Sequence, residues 1–269
     1  MVTGASSGVG RAVAKGCALA GFHVVLVSRD QRRGEAVVQA LAAETGSGEL
    51  EWQGADLGDL DSVRDLAERI RGAHESISIL SNNAAALSLG REESPQGIER
   101  TFATNYLGHA LLARLLVEPL SRGAPSRVIT VSGHPRTIAR ARLDFDDLTL
   151  RGRYSALRAT LNAALARVLF TVELAERLES RSIAAYTFHP GFVRSSLPSN
   201  LPFLPRILGM AAMRLLSPEC PTGVMLAVED TVPGPSGSFF LGRKAVDFRP
   251  GYDVRSEARR LWAATESLL

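Results

Sequence analysis

Thr3-Gly4-Ala5-Ser6-Ser7-Gly8-Val9-Gly10 decides how this chain is read. Three glycines at this spacing let the backbone turn sharply, come close to a pyrophosphate and open a helix whose first amides face the phosphates. A glycine-rich turn by itself marks many tight loops. Here a strand remnant precedes it and a long amphipathic stretch follows, the strand–turn–helix setting that phosphate binding requires. Gly4, Ser6, Ser7, Gly8, Val9 and Gly10 are therefore candidate cofactor contacts. Only Met1 and Val2 precede the turn, where about five residues are usual for a strand. Either the start is late or the first strand is unusually short.

Downstream, short β-branched runs alternate with long amphipathic stretches, the pattern of repeated βαβ units on a parallel sheet. The strands are expected at His23–Val27, Glu49–Gln53, Ser76–Leu80, Arg127–Ser132, Ile183–Phe188 and Gly237–Leu241. Between them helices are expected at Gly8–Ala20, Gln31–Ala43, Leu60–Ala73, Pro95–Leu120, Arg153–Glu179 and Ser256–Leu269. No repeat or low-complexity linker interrupts the order. A chain of 269 residues suits one α/β domain over 1–269, a doubly wound Rossmann domain with a central parallel sheet.

Composition narrows the function classes. Hydrophobic residues make up 45% and charged residues 22%, as in ordinary globular proteins. The net charge of +3 comes from scattered arginines rather than a basic block, which argues against a nucleic-acid footprint. Cys17 and Cys220 are too few for a disulfide framework, and no His or Cys cluster has metal-ligand spacing, so no metal and a reducing, cytoplasmic setting are expected. The glycine turn begins so early that no signal peptide is expected. No apolar run reaches the roughly 18 residues that span a bilayer, and no membrane partner is expected.

At the end of the second strand, an acidic residue would hold the ribose 2′-hydroxyl of NAD. The sequence has Ser28-Arg29 instead. A guanidinium there pairs with a 2′-phosphate and stacks on adenine, which favours NADP(H) over NAD.

Together these segments resemble the short-chain dehydrogenase/reductases, and within them the retinol-dehydrogenase-like branch, over essentially the full length. Besides the glycine turn, the resemblance rests on Ser28-Arg29-Asp30, Asp56-Leu57, Asn82-Asn83-Ala84-Ala85, Asn105-Tyr106-Leu107-Gly108-His109 and Val128–Ser132. His189-Pro190-Gly191-Phe192-Val193 and a tail with Leu261-Trp262 complete it. The resemblance implies that Asp56 and Leu57 border the adenine, that Asn82 and Ala84 line the ribose, and that Pro190, Gly191, Val193 and Ser195 hold the nicotinamide amide. It also implies pairing surfaces on the helices at Pro95–Leu120 and Arg153–Glu179, hence a homo-oligomer. The family's Asn-Asn-Ala-Gly ends here in Ala85, which would crowd the cofactor slightly.

The chain departs from the family in its catalytic set. Family members use a Ser to orient the carbonyl, a Tyr to protonate it, a Lys four residues later, and an Asn that supports a water relay. Asn105 stands in the Asn position, but Gly133 follows Ser132 in the serine slot. With the register fixed by Asp144-Phe145-Asp146-Asp147-Leu148 upstream and Leu169–Leu174 downstream, Thr160 falls in the Tyr slot and Ala164 in the Lys slot.

Other residues are candidates for the missing roles. Tyr154 with Arg158 repeats the four-residue spacing, and a nearby cation favours a phenolate. It sits six residues before Thr160 and on another helix face, which suits a substrate-mouth role better. His134, beside Gly133, is a second candidate, because an imidazole is a side chain that can both give and take a proton. His109 and His189 lie in family-typical segments, where packing and backbone hydrogen bonds are the expected roles. Thr160 can donate a hydrogen bond to a carbonyl, but an aliphatic alcohol is a poor proton source. Arg136, Arg140 and Arg142 are expected on the surface, with an acidic or phenolate substrate as the alternative.

A positioned general acid supplies about 10² to 10⁴ in rate, whereas juxtaposing donor and carbonyl supplies roughly 7 to 11 kcal/mol. Positioning therefore suffices for a ketone whose own phenol polarises it and offers the proton. The expectation is an NADPH-dependent ketoreductase acting on an aromatic, polyketide-like phenolic ketone, resembling the triad-deficient polyketide ketoreductases of antibiotic tailoring. A non-redox cyclase or dehydratase, or a silent NADP(H)-binding protein, are the alternatives. Gly133, His134, Tyr154, Phe192, Leu197 and Phe203 are the expected substrate contacts, the last two in an apolar, proline-rich lid over about 196–217.

Overall fold

The computed structural model describes residues 1–194 and 216–269. Eight strands form one sheet in the order β3-β2-β1-β4-β5-β6-β7-β8. They are β1 (Val2–Thr3), β2 (Val24–Ser28), β3 (Leu50–Gly54), β4 (Ile79–Asn82), β5 (Ser126–Val131), β6 (Ile183–His189), β7 (Phe239–Leu241) and β8 (Lys244–Val246). All neighbours pair in parallel except β7 and β8, which form an antiparallel edge. The doubly wound parallel sheet read from the sequence is therefore present. β8 is an addition that three polar-flanked residues did not signal.

Helices cover both faces because strand side chains alternate. Val25, Val27 and Val128 face one core with Leu66 of α3 (Leu60–Ala73), Leu112 of α5 (Gly108–Leu115), Leu165 of α8 (Ala156–Leu178) and Trp262 of α10 (Val254–Glu266). Val24, Leu26 and Ile129 face the other, with Val13 of α1 (Gly8–Leu19), Leu41 of α2 (Gln31–Thr45) and Met225 of α9 (Pro221–Val228). Helix starts follow side-chain caps: Asp30 accepts from the Arg33 amide and Asp59 from that of Asp61. Trp262 stacks on Phe170 with centroids 5.4 Å apart, joining α10 to α8.

The expected helix over Pro95–Leu120 is a series of pieces. Glu99 caps α4 (Arg100–Phe102) by accepting from the Thr101 and Phe102 amides at 2.8 and 2.7 Å. A π-helical turn over Ala103–Leu107 follows, then α5, and after Leu116 the short α6 (Val117–Arg122). A four-residue helix, α7 (Pro135–Ile138), follows β5. The fourth strand begins at Ile79 rather than Ser76. The expected lid over 196–217 lies almost wholly outside the described residues.

Candidate active site

At the carboxyl ends of the first four strands in spatial order, the sheet's winding reverses between β1 and β4. Ligands of open α/β sheets bind at such a point. A cavity of about 330 Å³ opens there. Its wall contains Gly4, Ser6, Ser7, Gly8, Val9 and Gly10 from the turn, Ser28 and Arg29 from the end of β2, Asp56 and Leu57 after β3, and Ala84 after β4. The structure brings these eleven together around one cavity. Gly4 has φ +63, and a Cβ on it would sit 2.7 Å from the Ala84 backbone. A Cβ on Gly10 would sit 2.5 Å from the Gly4 carbonyl oxygen. Both glycines are thus demanded by close backbone approach, and the first turn of α1 opens on the cavity with no acidic side chain in it.

The β2–β3 end is cationic. Arg29 and Arg33 both line it. Asp56 answers Arg29 at only 3.8 Å and Arg100 at 3.7 Å, and its other oxygen accepts from the Gly58 amide. Asp30 caps α2 by accepting the Arg33 amide through one oxygen and does not line the cavity.

One expectation is corrected by the strand's alternation. Asn82 is fully buried and donates to Thr130 Oγ1, so it does not line the cavity; Asn83 does, as does Ala85. Pro190, Gly191 and Val193 are not on its wall, although Gly191 takes φ +76 and Val193 makes a bridge to Ser217. Ser195, Leu197 and Phe203 lie outside the described residues.

The β4–β5 end holds a network that runs through the buried interior. Thr3 Oγ1 accepts the amides of Asn83 and Ala84 at 2.9 and 3.2 Å, fixing the loop after β4. His109 Nδ1 donates to the Asn105 carbonyl at 3.2 Å, which leaves Nε2 as the partner of the Thr3 hydroxyl at 3.1 Å. Burial, with Arg167 nearby, pushes the His109 pKa down to about 3. The Asn105 side chain clamps Ala86, accepting its amide at 2.6 Å and donating to its carbonyl at 3.0 Å. Asn105 therefore positions the loop rather than facing the cavity, where Thr104 stands instead.

The vacant slots meet in space. A Cβ on Gly133 would lie 3.9 Å from that of Ala164, and Ser132 Oγ donates to the Ala164 carbonyl at 2.9 Å. Thr160 is exposed and its hydroxyl donates to the Ala156 carbonyl at 2.8 Å. Tyr154 donates to the Ser88 carbonyl at 2.6 Å. Its pKa is raised, by burial first and then by Glu99, so the expected push towards phenolate is reversed; Arg158 is turned to the Arg153 carbonyl. His134 caps α7 through Nδ1 and packs edge-on against His189, with centroids 5.2 Å apart. It also lines a second cavity of about 490 Å³ with Arg136, Leu241 and Phe248. Phe192 is exposed and touches neither cavity.

Arg33 and Arg167 line the first cavity although neither was among the expected site residues. Arg167 of α8 is buried, lines the first cavity and donates from its three nitrogens to the carbonyls of Asn105, Val131 and Ala84. The only sequence signal was a lone charge among Leu165, Ala166, Val168 and Leu169. The helices expected to pair subunits are largely covered within the chain, with Gly108–Ala113 buried throughout. Among the described residues no helix is long and apolar enough to cross a membrane, and no group of His, Cys, Asp or Glu could hold a metal.

Fold and cavity together have the form of a dinucleotide-binding domain, and the comparisons give the family. The short chain dehydrogenase family model matches residues 1–143. Retinol dehydrogenase 13 of Homo sapiens is 34% identical across all of this chain and 83% of its own length. A solved but uncharacterised protein of Mycobacterium paratuberculosis is 31% identical, with TM-score 0.76 over 99% of this chain and 91% of that one. A Burkholderia cenocepacia short chain dehydrogenase solved with NADP is 25% identical, TM-score 0.56, over 71% of this chain and 72% of that one. The chain belongs to the short-chain dehydrogenase/reductase family of oxidoreductases.

Proposed function

We propose that this protein is an NADPH-dependent ketoreductase for aromatic, phenolic ketones of the polyketide kind, in which the substrate supplies the proton. The observation that carries this reading is an elaborated dinucleotide cleft beside Gly133, Ala164 and a Thr160 whose hydroxyl is already committed. The residues fit NADP(H): Gly4 and Gly10 allow the close approach a pyrophosphate needs, the α1 amides face it, and Arg29 and Arg33 meet a 2′-phosphate. When bound, the nicotinamide supplies hydride to a carbonyl carbon. The relatives' names add support, since several are retinol dehydrogenases, and a solved neighbour carries NADP.

The chain's own residues position rather than protonate. Asn105 fixes Ala86, Thr3 fixes Asn83 and Ala84, and Ser132 ties β5 to α8, so the wall of the cleft beside Gly133 and Ala164 is held by side-chain hydrogen bonds. As the carbonyl carbon gains hydride, its oxygen takes the proton of the neighbouring phenol, and the phenolate recovers one from water. Cys17 and Cys220, buried and unpaired, suit a reducing cytoplasmic setting.

The test uses NADPH deuterated at C4 with a panel of ortho-hydroxyaryl ketones and their O-methyl ethers. Label in the carbinol carbon of the free phenols, little in the ethers, and turnover of Thr160→Ala within about threefold of the parent are expected. Equal reduction of ethers and phenols would refute substrate protonation; unlabelled, isomerised product would mean a non-redox enzyme, and binding without product a silent one.

A further inference from the structure

Across the sheet, the order β3-β2-β1-β4-β5 assigns an order to the cavity wall. Arg29, Arg33 and Asp56 stand at the β2–β3 end, the glycine turn at the centre, and Ala84, Val131 and Arg167 at the β4–β5 end. If the pyrophosphate takes the centre and the 2′-phosphate the arginine end, the redox-active ring falls to the third position. A single buried cation waits there. Arg167 has no carboxylate within ion-pair distance among the described residues; its three partners are neutral carbonyls. Carbonyl dipoles offset only part of the cost of burying a charge, so an unneutralised field remains in the cavity. One N–H on each nitrogen is used, and a guanidinium has five, so two are left for a ligand. One helical turn earlier, Ala164 leaves that face without another cation.

We propose that Arg167 is a cofactor-binding cation that holds the nicotinamide end of the dinucleotide and selects its reduced form. The oxidised ring is a pyridinium and carries positive charge, whereas the dihydropyridine is neutral; a fixed guanidinium repels the first and tolerates the second. This rests on the NADP(H) reading of the same cavity. Burial draws the Arg167 pKa down to about 9, which still leaves it charged at neutral pH.

The experiment measures dissociation constants of NADPH and of NADP⁺ separately, by titration calorimetry at low ionic strength, for the parent, Arg167→Lys, Arg167→Gln and Arg167→Met, with thermal melts of each. The parent is expected to bind NADPH on the order of tenfold more tightly than NADP⁺. Arg167→Gln and Arg167→Met should reduce that ratio about tenfold, and Arg167→Lys should keep most of it. A purely structural arginine would lower both affinities together and leave the ratio unchanged, which overturns the proposal. A parent ratio near one overturns it without any variant, so a substitution that fails to fold does not shelter it. A parent that binds neither cofactor overturns instead the NADP(H) reading on which this one stands.

Discussion

Gly10→Ala should disable the cleft through a single methyl. The added carbon would lie 2.5 Å from the Gly4 oxygen, 2.7 Å from the Gly4 carbonyl carbon and 2.8 Å from the Thr3 oxygen, all backbone atoms of the turn itself. Ordinary carbon contacts begin near 3.4 Å, so the start of α1 must move by roughly 1 Å, since no flexible side chain is present to give way. Overpacking of this kind costs about 1 to 3 kcal/mol. The same shift withdraws the helix amides from a pyrophosphate, and loss of 1.4 kcal/mol or more there raises the NADPH dissociation constant at least about tenfold. Chemical denaturation and NADPH fluorescence titration measure the two effects. Gly72→Ala is the control: it lies in α3, exposed, with nothing within 4 Å, and should be neutral or gain about 1 kcal/mol. If Gly10→Ala melts like the parent and binds NADPH within a factor of two, the argument from close backbone approach is wrong.

Acid should destabilise the fold through His109. Its folded pKa lies near 3 and its ordinary value at 6.5, so between these the unfolded chain binds more protons. Its contribution is intact above the ordinary value and falls as the pH drops towards 3, by up to about 1.4 kcal/mol per unit; urea midpoints for the parent and His109→Gln should show a flatter acid limb in the variant. Arg29→Ala should weaken NADPH about tenfold while leaving NADH nearly unchanged, because it removes the guanidinium that Asp56 holds only loosely; equal losses for both would refute a 2′-phosphate role. Tyr154→Phe should cost about 1 kcal/mol through the lost bond to Ser88 and leave turnover within threefold, whereas a fall of about 10² or more would make Tyr154 the acid.

Local signals carried most of the fold. α3 runs from Leu60 to Ala73 as read, since Asp59 caps it and Leu60, Val63, Leu66, Ala67 and Ile70 form its buried stripe. The β4 region shows where such signals run out. Whether Asn82 or Asn83 faces the cavity depends on strand parity at a boundary that hydropathy places only within a few residues. The break-up of the Pro95–Leu120 stretch is local at its start, where Gly97 takes φ +72 and Glu99 caps α4, but within the π turn the Asn105 carbonyl accepts from Arg167, 62 positions away, and nothing local announces that partner. Arg167 escaped for the same reason, because a lone arginine in an apolar helix reads as a surface charge until its three acceptors are assembled. The cavity's glycines, Arg29 and Asp56 were legible because each performs a job that few other residue types can.

The π turn at Ala103–Leu107 makes this part of the molecule sensitive to length rather than to composition. Removing one residue there would restore a regular helix and swing everything on one side by about 100°, carrying the Asn105 carbonyl away from the guanidinium and imidazole that meet on it. Substitutions along the turn can be absorbed by repacking, but a deletion cannot. Any natural variant of this chain that keeps an arginine at position 167 should therefore also keep the extra residue.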